Sequence, residues 1–162
     1  MSVRIFISHS VAPQELAIVA QVADVATNRG AEPIIAYRDW SPEKKINARS
    51  HIATQIRSSD YLIAIATLGG QHLEWVNQEL DYNLHLQPPK PVLIIVDEGI
   101  PVTQGYGYDV IFINRRQPFL TLALVGQRIQ QVVKDKATQQ ILQGFLIGGL
   151  ALMFLALVGK GK

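Results

Sequence analysis

Short apolar segments alternate along this chain with longer segments whose apolar residues recur at helical spacing. The longer segments predict helices at residues 13–30, 47–57, 72–86 and 118–136. The apolar runs predict strands at Val3–Ile7, Ile34–Tyr37, Tyr61–Ala66, Val92–Val96 and Val110–Ile113. Such alternation is typical of an α/β fold in which a doubly wound parallel sheet carries helices on both faces.

Polar residues follow several of these predicted strands. Ser8, His9 and Ser10 come directly after the first strand, and Asp97 and Glu98 follow the fourth. In open parallel sheets, ligands bind beyond the carboxyl ends of the strands. We therefore expect the serine hydroxyls to bind a phosphate or a ribose, with capping of the helix after them as the alternative. Asp97 and Glu98 are expected to be solvated loop residues.

A tryptophan and a glutamate lie four residues apart on the predicted helix after the third strand. This spacing places Trp75 and Glu79 about one turn apart on the same side of the helix. An aromatic wall with one carboxylate beside it, near the end of a buried strand, can hold a nucleotide and act on its sugar. The alternative for Glu79 is a solvated surface position. Glu74 points about 100° away from Trp75 around the helix and is not expected to substitute for Glu79.

The end of the chain has a different composition. Residues 137–159 include no charged side chain, and Ile141–Gly159 is apolar apart from Gln143. Nineteen helical residues span roughly 28 Å, close to the hydrocarbon thickness of a bilayer. We therefore predict a domain at residues 1–136 and a C-terminal transmembrane tail anchor at residues 137–162. A buried core helix and an oligomerisation helix are the alternatives.

The first predicted strand begins at Val3, with no signal-peptide pattern before it. We therefore expect a single-pass membrane protein whose domain lies on the cytoplasmic side.

Several classes of site are disfavoured by composition. The chain has no Cys, which excludes disulfides and thiolate metal ligands, and its four His residues lack the spacing of metal ligands. It has no Gly-rich phosphate loop and no basic run interleaved with aromatic residues. We therefore predict neither a metal site nor nucleic-acid binding.

Four motifs, in this order, resemble those of the TIR (Toll/interleukin-1 receptor) domain family. They are Ile5–Ser10, the loop that begins Tyr37-Arg38-Asp39 and contains Pro42, the run Ile52–Asp60, and the W-x-x-x-E motif Trp75–Glu79. The resemblance extends from about Val3 to Lys136. It implies a flavodoxin-like fold with five parallel strands.

The resemblance also implies one of two functions. Many bacterial members hydrolyse or cyclise NAD⁺ with the glutamate of W-x-x-x-E, which corresponds to Glu79, in defence or cell-death signalling. Others are adaptors that only self-associate and recruit partners. The family's loop after the second strand corresponds to Arg38–Lys45, although Pro42 is followed here by Glu43 where the family often has glycine. A third possibility is transfer of ribosyl groups between bases.

The enzymatic interpretation assigns a role to each candidate residue. Glu79 is the expected catalytic residue, NAD⁺ is the substrate with no separate cofactor, and other TIR domains are the expected partners. The expected substrate-binding residues are Trp75, Ser8, His9, Ser10, Arg38, Asp39 and Trp40.

Overall fold

The computed structural model describes residues 2–36 and 45–158, with the backbone alone at residues 45–48 and 144–158. Within these residues, five parallel strands form one sheet in the order β2-β1-β3-β4-β5. This confirms the predicted parallel α/β architecture of flavodoxin-like type. The elements are β1 (Val3–Ser10), α1 (Leu16–Asn28), β2 (Ala31–Ile35), α2 (Lys45–Ser58), β3 (Tyr61–Ala66), α3 (Leu73–Leu84), β4 (Val92–Val96), β5 (Asp109–Phe112) and α4 (Pro118–Val158), with a short 3-10 turn at Pro13–Glu15.

The two faces of the sheet are covered by different helices. Alternate strand residues point to opposite faces, so Ile5 and Ile7 of β1 pack against α1 and α4. Phe6, one residue along, packs on the opposite face with Ile52 of α2 and Val76 of α3. The helices of the candidate site, α2 and α3, therefore share one face.

The second strand begins three residues earlier than predicted. The prediction was Ile34–Tyr37, whereas β2 is Ala31–Ile35 and contains Pro33. Proline lacks the backbone N–H that a central strand requires, but an edge strand tolerates it. Because β2 lies at the edge of the sheet, the strand extends through Pro33.

A group of charged side chains ties together the loops at the carboxyl edge of the sheet. The Arg115 guanidinium binds both carboxylate oxygens of Asp97, with its Nε 2.9 Å from Oδ1, and also binds Glu15. Asp97 accepts a further hydrogen bond of 2.8 Å from the backbone N–H of Leu68. The expectation that Asp97 is solvated is therefore wrong, because its carboxylate is buried against Arg115.

Arg115 changes the acidity of both of its partners. Its hydrogen bond to Asp97 holds the pKa of that carboxyl below the ordinary value, even though burial acts in the opposite direction. Its hydrogen bond to Glu15 lowers the pKa of that carboxyl as well, with Thr67 adding to the effect. The cluster therefore favours both ionised carboxylates in the folded protein.

The last helix is longer than predicted. The prediction was a helix ending at Lys136 and a separate apolar tail, whereas α4 runs without a break from Pro118 to Val158. Its first part packs on the sheet through the buried Val125 and Ile129. The Nζ of Lys136 donates hydrogen bonds to the carbonyl of Ser2 at 3.2 Å and to the Asp60 carboxylate at 2.6 Å.

Beyond Lys136 the helix leaves the sheet, because every side chain at residues 137–143 is exposed. Among helices in the described part of the chain, none combines the length and the apolar character that crossing a bilayer requires. Most of the predicted tail lies outside the residues whose side chains are described.

Acid should weaken the fold through the Arg115 cluster. A carboxyl whose pKa is lower in the folded protein contributes stability above its unfolded pKa of about 4, and this contribution is lost as the pH falls through the folded pKa. We expect Asp97→Asn to lower the free energy of unfolding by about 1–3 kcal/mol near neutral pH and to reduce the loss of stability between about pH 5 and pH 2. Urea denaturation of both proteins across this range measures both effects. An unchanged pH dependence in the variant would contradict the role of Asp97.

Candidate active site

Near the carboxyl end of β1, the part of the sheet beneath α3 is lined by small side chains. Ser8 of β1 lies beside Ala64 of β3, its register partner, and Ala36 follows β2 on the other side of β1. The opposite face carries isoleucine at the neighbouring positions, Ile7 and Ile63. Alanine and serine therefore leave room between α3 and the sheet near the carboxyl end of β1.

Glu79 occupies this space. Around the axis of α3, Glu79 lies about 40° from Trp75 and about 60° from the buried Val76. It therefore lies between the side of the helix that carries the indole and the side that packs on the core. The residue is only 6% exposed. Ser8 Oγ donates a buried hydrogen bond to Glu79 Oε2. Burial of a carboxylate is unfavourable unless it is hydrogen-bonded or paired, and the serine hydroxyl supplies one such bond.

Trp75 lies one turn before Glu79 and is half-buried. Its backbone N–H donates to the carbonyl of His72 at 3.0 Å, and the two rings meet edge to face with centroids 6.2 Å apart. His72 adopts a left-handed backbone conformation with φ of 68°, which is uncommon for a residue other than glycine. The turn before α3 therefore places the imidazole edge to face beside the indole.

A cleft of about 420 Å³ runs between α2 and α3. Ligand pockets are roughly 300–1,000 Å³, so this cleft can hold a small molecule or part of a dinucleotide. Along α2 its described lining is apolar apart from one arginine, and along α3 it is polar and aromatic. The lining consists of Arg49, Ile52, Ala53, Ile56, Glu74, Trp75, Gln78, Glu79 and Tyr82. The buried carboxylate and the indole thus belong to one concave surface.

Glu74 also reaches this surface, at the N-terminal end of α3. Its side chain is largely exposed, and its Oε1 lies 3.2 Å from His72 Nδ1. The hydrogen bond from its own backbone N–H lowers the pKa of the Glu74 carboxyl, and His72 adds to this effect. Glu74 and Glu79 therefore both line the cleft, but in different surroundings, one exposed at the rim and one buried beside Ser8.

The predicted substrate-binding residues do not all come together. Ser8 contacts Glu79, while Ser10 Oγ donates to the carbonyl of Gln71 at 2.8 Å in the loop before α3. Strand alternation places His9 on the opposite face of the sheet, the face of Ile7. The three remaining predicted residues, Arg38, Asp39 and Trp40, lie outside the described residues.

Sequence reasoning missed the contribution of α2 to the cleft. Arg49, Ile52 and Ile56 follow one another at spacings of three and four residues, which places them on one side of that helix. This periodicity was visible in the sequence, but the sequence alone did not show that this side of α2 would face Trp75.

The loop from β3 to α3 is held close to the end of β1. The backbone N–H of Thr67 donates to the carbonyl of Ser10 at 3.0 Å, and the Thr67 hydroxyl accepts from the N–H of Ala12 at 3.0 Å. A Cβ atom at Gly70 would overlap the carbonyl oxygen of Ser10. Glycine at this position therefore allows the loop before α3 to approach the end of β1.

Gly70→Ala should destabilise the protein by about 2 kcal/mol or more, because a methyl group cannot fit against the Ser10 backbone without moving the loop. The matched control is Gly69→Ala. Gly69 has φ of +79° but ordinary space around it, so we expect a cost of about 1 kcal/mol from backbone conformation. Chemical denaturation of both variants provides the comparison. Equal losses would show that the close approach at Gly70 has little energetic weight.

No metal site is evident in the described part of the chain, since no three His, Cys, Asp or Glu side chains gather there.

Comparison with known proteins places this geometry in a family. A family model described as TIR domain matches residues 5–119. A search of curated proteins gave no match.

Two solved structures share the fold at low sequence identity. A response regulator receiver domain protein from Bacillus halodurans C-125 superposes with a TM-score of 0.53 at 13% identity, covering 80% of this chain and 97% of that one. A prokaryotic SEFIR domain superposes with a TM-score of 0.52 at 12% identity, covering 79% of this chain and 92% of that one. These two likenesses show the fold alone.

Proposed function

The chain belongs to the TIR domain family, and we propose that it is a membrane-anchored TIR enzyme that cleaves NAD⁺. The products are nicotinamide and either ADP-ribose or a cyclic isomer of ADP-ribose. The family includes NAD⁺ glycohydrolases as well as signalling modules. The placement of Glu79 favours the enzymatic class.

The observation that carries this proposal is a buried carboxylate in the wall of a cleft. Glu79 is held between α3 and the sheet, next to Trp75, and lines a cavity large enough for a small ligand. A glutamate without a role there would be more stable exposed to water, where most glutamates are found. Its buried position supports a function that needs a carboxylate screened from solvent.

The chemistry of NAD⁺ cleavage suits one carboxylate. The bond between C1′ of the ribose and the pyridinium nitrogen breaks, and its electron pair neutralises the ring, so nicotinamide leaves without an added proton. The ribose is left as an oxocarbenium-like cation, which the Glu79 carboxylate stabilises electrostatically. Attack by water at C1′, with loss of one proton to solvent, gives ADP-ribose, and attack by a nucleophile within the same molecule gives a cyclic product.

Other residues of the cleft can bind the aromatic rings and the phosphates of NAD⁺. The indole of Trp75 offers an apolar surface for packing against an aromatic ring and for excluding water. Arg49, on the α2 side, supplies a positive charge for a phosphate group. The chain's own residues thus supply all the groups that this reaction needs, and we propose no cofactor or metal.

We also propose that the apolar segment at residues 141–159 anchors the protein in a membrane. The exposed side chains at residues 137–143 support this, because they show α4 leaving the domain as a free-standing helix. Ile141 and Leu142 are each nearly 60% exposed there. Anchoring in two dimensions raises the local concentration of TIR domains and so favours their assembly.

A non-enzymatic adaptor is the alternative function. It is favoured by apolar side chains that are exposed at the start of α4, namely Phe119, Leu120 and Leu124. Exposed apolar groups that lie close together are typical of surfaces that bind other proteins. A protein that self-associates but releases no nicotinamide would support this function.

Glu79→Gln should lower the rate of nicotinamide release by at least about 1,000-fold, because the amide keeps the shape of the side chain but lacks the negative charge. Glu74→Gln should keep the rate within about threefold, since that carboxylate is exposed at the rim. Asp81→Asn, on the exposed side of the same helix, is the control outside the cleft. The measurement is nicotinamide release from NAD⁺ by concentrated protein on liposomes. Similar rates in the Glu79 and Glu74 variants would remove the catalytic assignment.

Deleting residues 137–162 should release the protein from membranes, because the domain would lose its apolar segment. Carbonate-washed membrane fractions of cells that express the full and the shortened chain provide the test. A full-length chain that remains in the supernatant would contradict the anchor.

A further inference from the structure

The side chain of Ser8 lies beneath Glu79 rather than beside the ligand space. Ser8 is 2% exposed, and its hydroxyl donates to Oε2 of the glutamate in a contact that is itself buried. The described lining of the cleft comes from α2 and α3 and does not include Ser8. A ligand in the cleft would therefore meet Glu79 before it could reach this hydroxyl.

Ser8 is flanked by alanine on both neighbouring strands. Ala64 is its partner on β3, and Ala36 lies next to β1 on the other side. Both alanines are almost fully buried. Their methyl groups cannot bind a carboxylate, so among these three neighbouring side chains only Ser8 can hold Glu79.

We propose that Ser8 is a positioning residue, which holds the Glu79 carboxylate in the orientation that the cleavage of NAD⁺ requires. This inference rests on the proposed function, and it replaces the expected role of Ser8 in binding phosphate or ribose. A glutamate side chain has three rotatable bonds, and one hydrogen bond to Oε2 restricts them together. The stabilising charge is thus fixed in place before the substrate arrives.

The variants Ser8→Ala and Ser8→Thr separate positioning from substrate binding. Ser8→Ala should lower kcat by about 10- to 100-fold and leave KM within about threefold, because the lost bond affects the reacting carboxylate and not the bound substrate. Ser8→Thr should restore most of kcat, because threonine also carries the hydroxyl. The small side chains of Ala36 and Ala64 leave room for its extra methyl group. Direct substrate binding would instead raise KM in Ser8→Ala.

Ser59→Ala is the matched control. Ser59 is also a buried serine whose hydroxyl makes one hydrogen bond, to the carbonyl of Ile56 at 2.7 Å, but it lies at the opposite edge of the sheet. We expect this variant to keep both kcat and KM. A loss of activity equal to that of Ser8→Ala would show that removing any buried hydroxyl has this effect, and would overturn the inference.

A double-mutant cycle tests the contact without any assay of activity. Ser8→Ala, Glu79→Ala and the double variant are compared by urea denaturation, and we expect a coupling of about tenfold in the unfolding equilibrium constant. Absence of coupling would overturn the inference. An unmodified protein that releases no nicotinamide would overturn the proposed function and with it the positioning role of Ser8. An active parent whose Ser8→Ala variant keeps its kcat would overturn this inference alone.

Discussion

The site depends on a difference in how the two faces of one sheet are filled near the carboxyl end of β1. Strand alternation sends large β-branched side chains such as Ile7 and Ile63 to the side of α1 and α4, where they fill the space between sheet and helices. On the other side, Ser8 and Ala64 leave a shallow space under α3. A polar side chain of that helix can enter this space, and Glu79 does so. Larger residues on this face would close the space and drive the carboxylate out to water.

Much of the fold could be predicted because its strands are short, apolar and separated by helical periodicity. Strands β3 and β4 have the predicted bounds. The start of β2 was missed because Pro33 breaks most strands, and nothing local shows that this strand lies at an edge. The continuity of α4 was missed for a related reason. The change in composition near Lys136 marks a change of surroundings, but backbone hydrogen bonds continue through it.

The candidate site was predictable in part. The spacing of Trp75 and Glu79 indicated that both lie on the same side of a helix, but the depth of the glutamate depends on Ser8, which is 71 residues away. Asp97 shows the same limit, because its partner Arg115 lies in another loop. Contacts of this kind follow from topology, which brings the carboxyl ends of parallel strands together. Local sequence patterns indicate which side chains are candidates for the site. The order of the strands in the sheet determines which of these side chains contact one another.

The unbroken course of α4 joins the domain to its far end through one continuous helix. The helix has 41 residues and is therefore about 60 Å long. It passes the amino edge of the sheet at Lys136, beside Ser2 and Asp60, and extends away from the edge where Ser8 lies. Each residue turns the helix by about 100°. The number of residues between the sheet and the far end of α4 therefore sets the direction in which the cleft faces relative to that end. The helix thus acts as a spacer whose residue count sets both the distance and the rotation between the domain and that end.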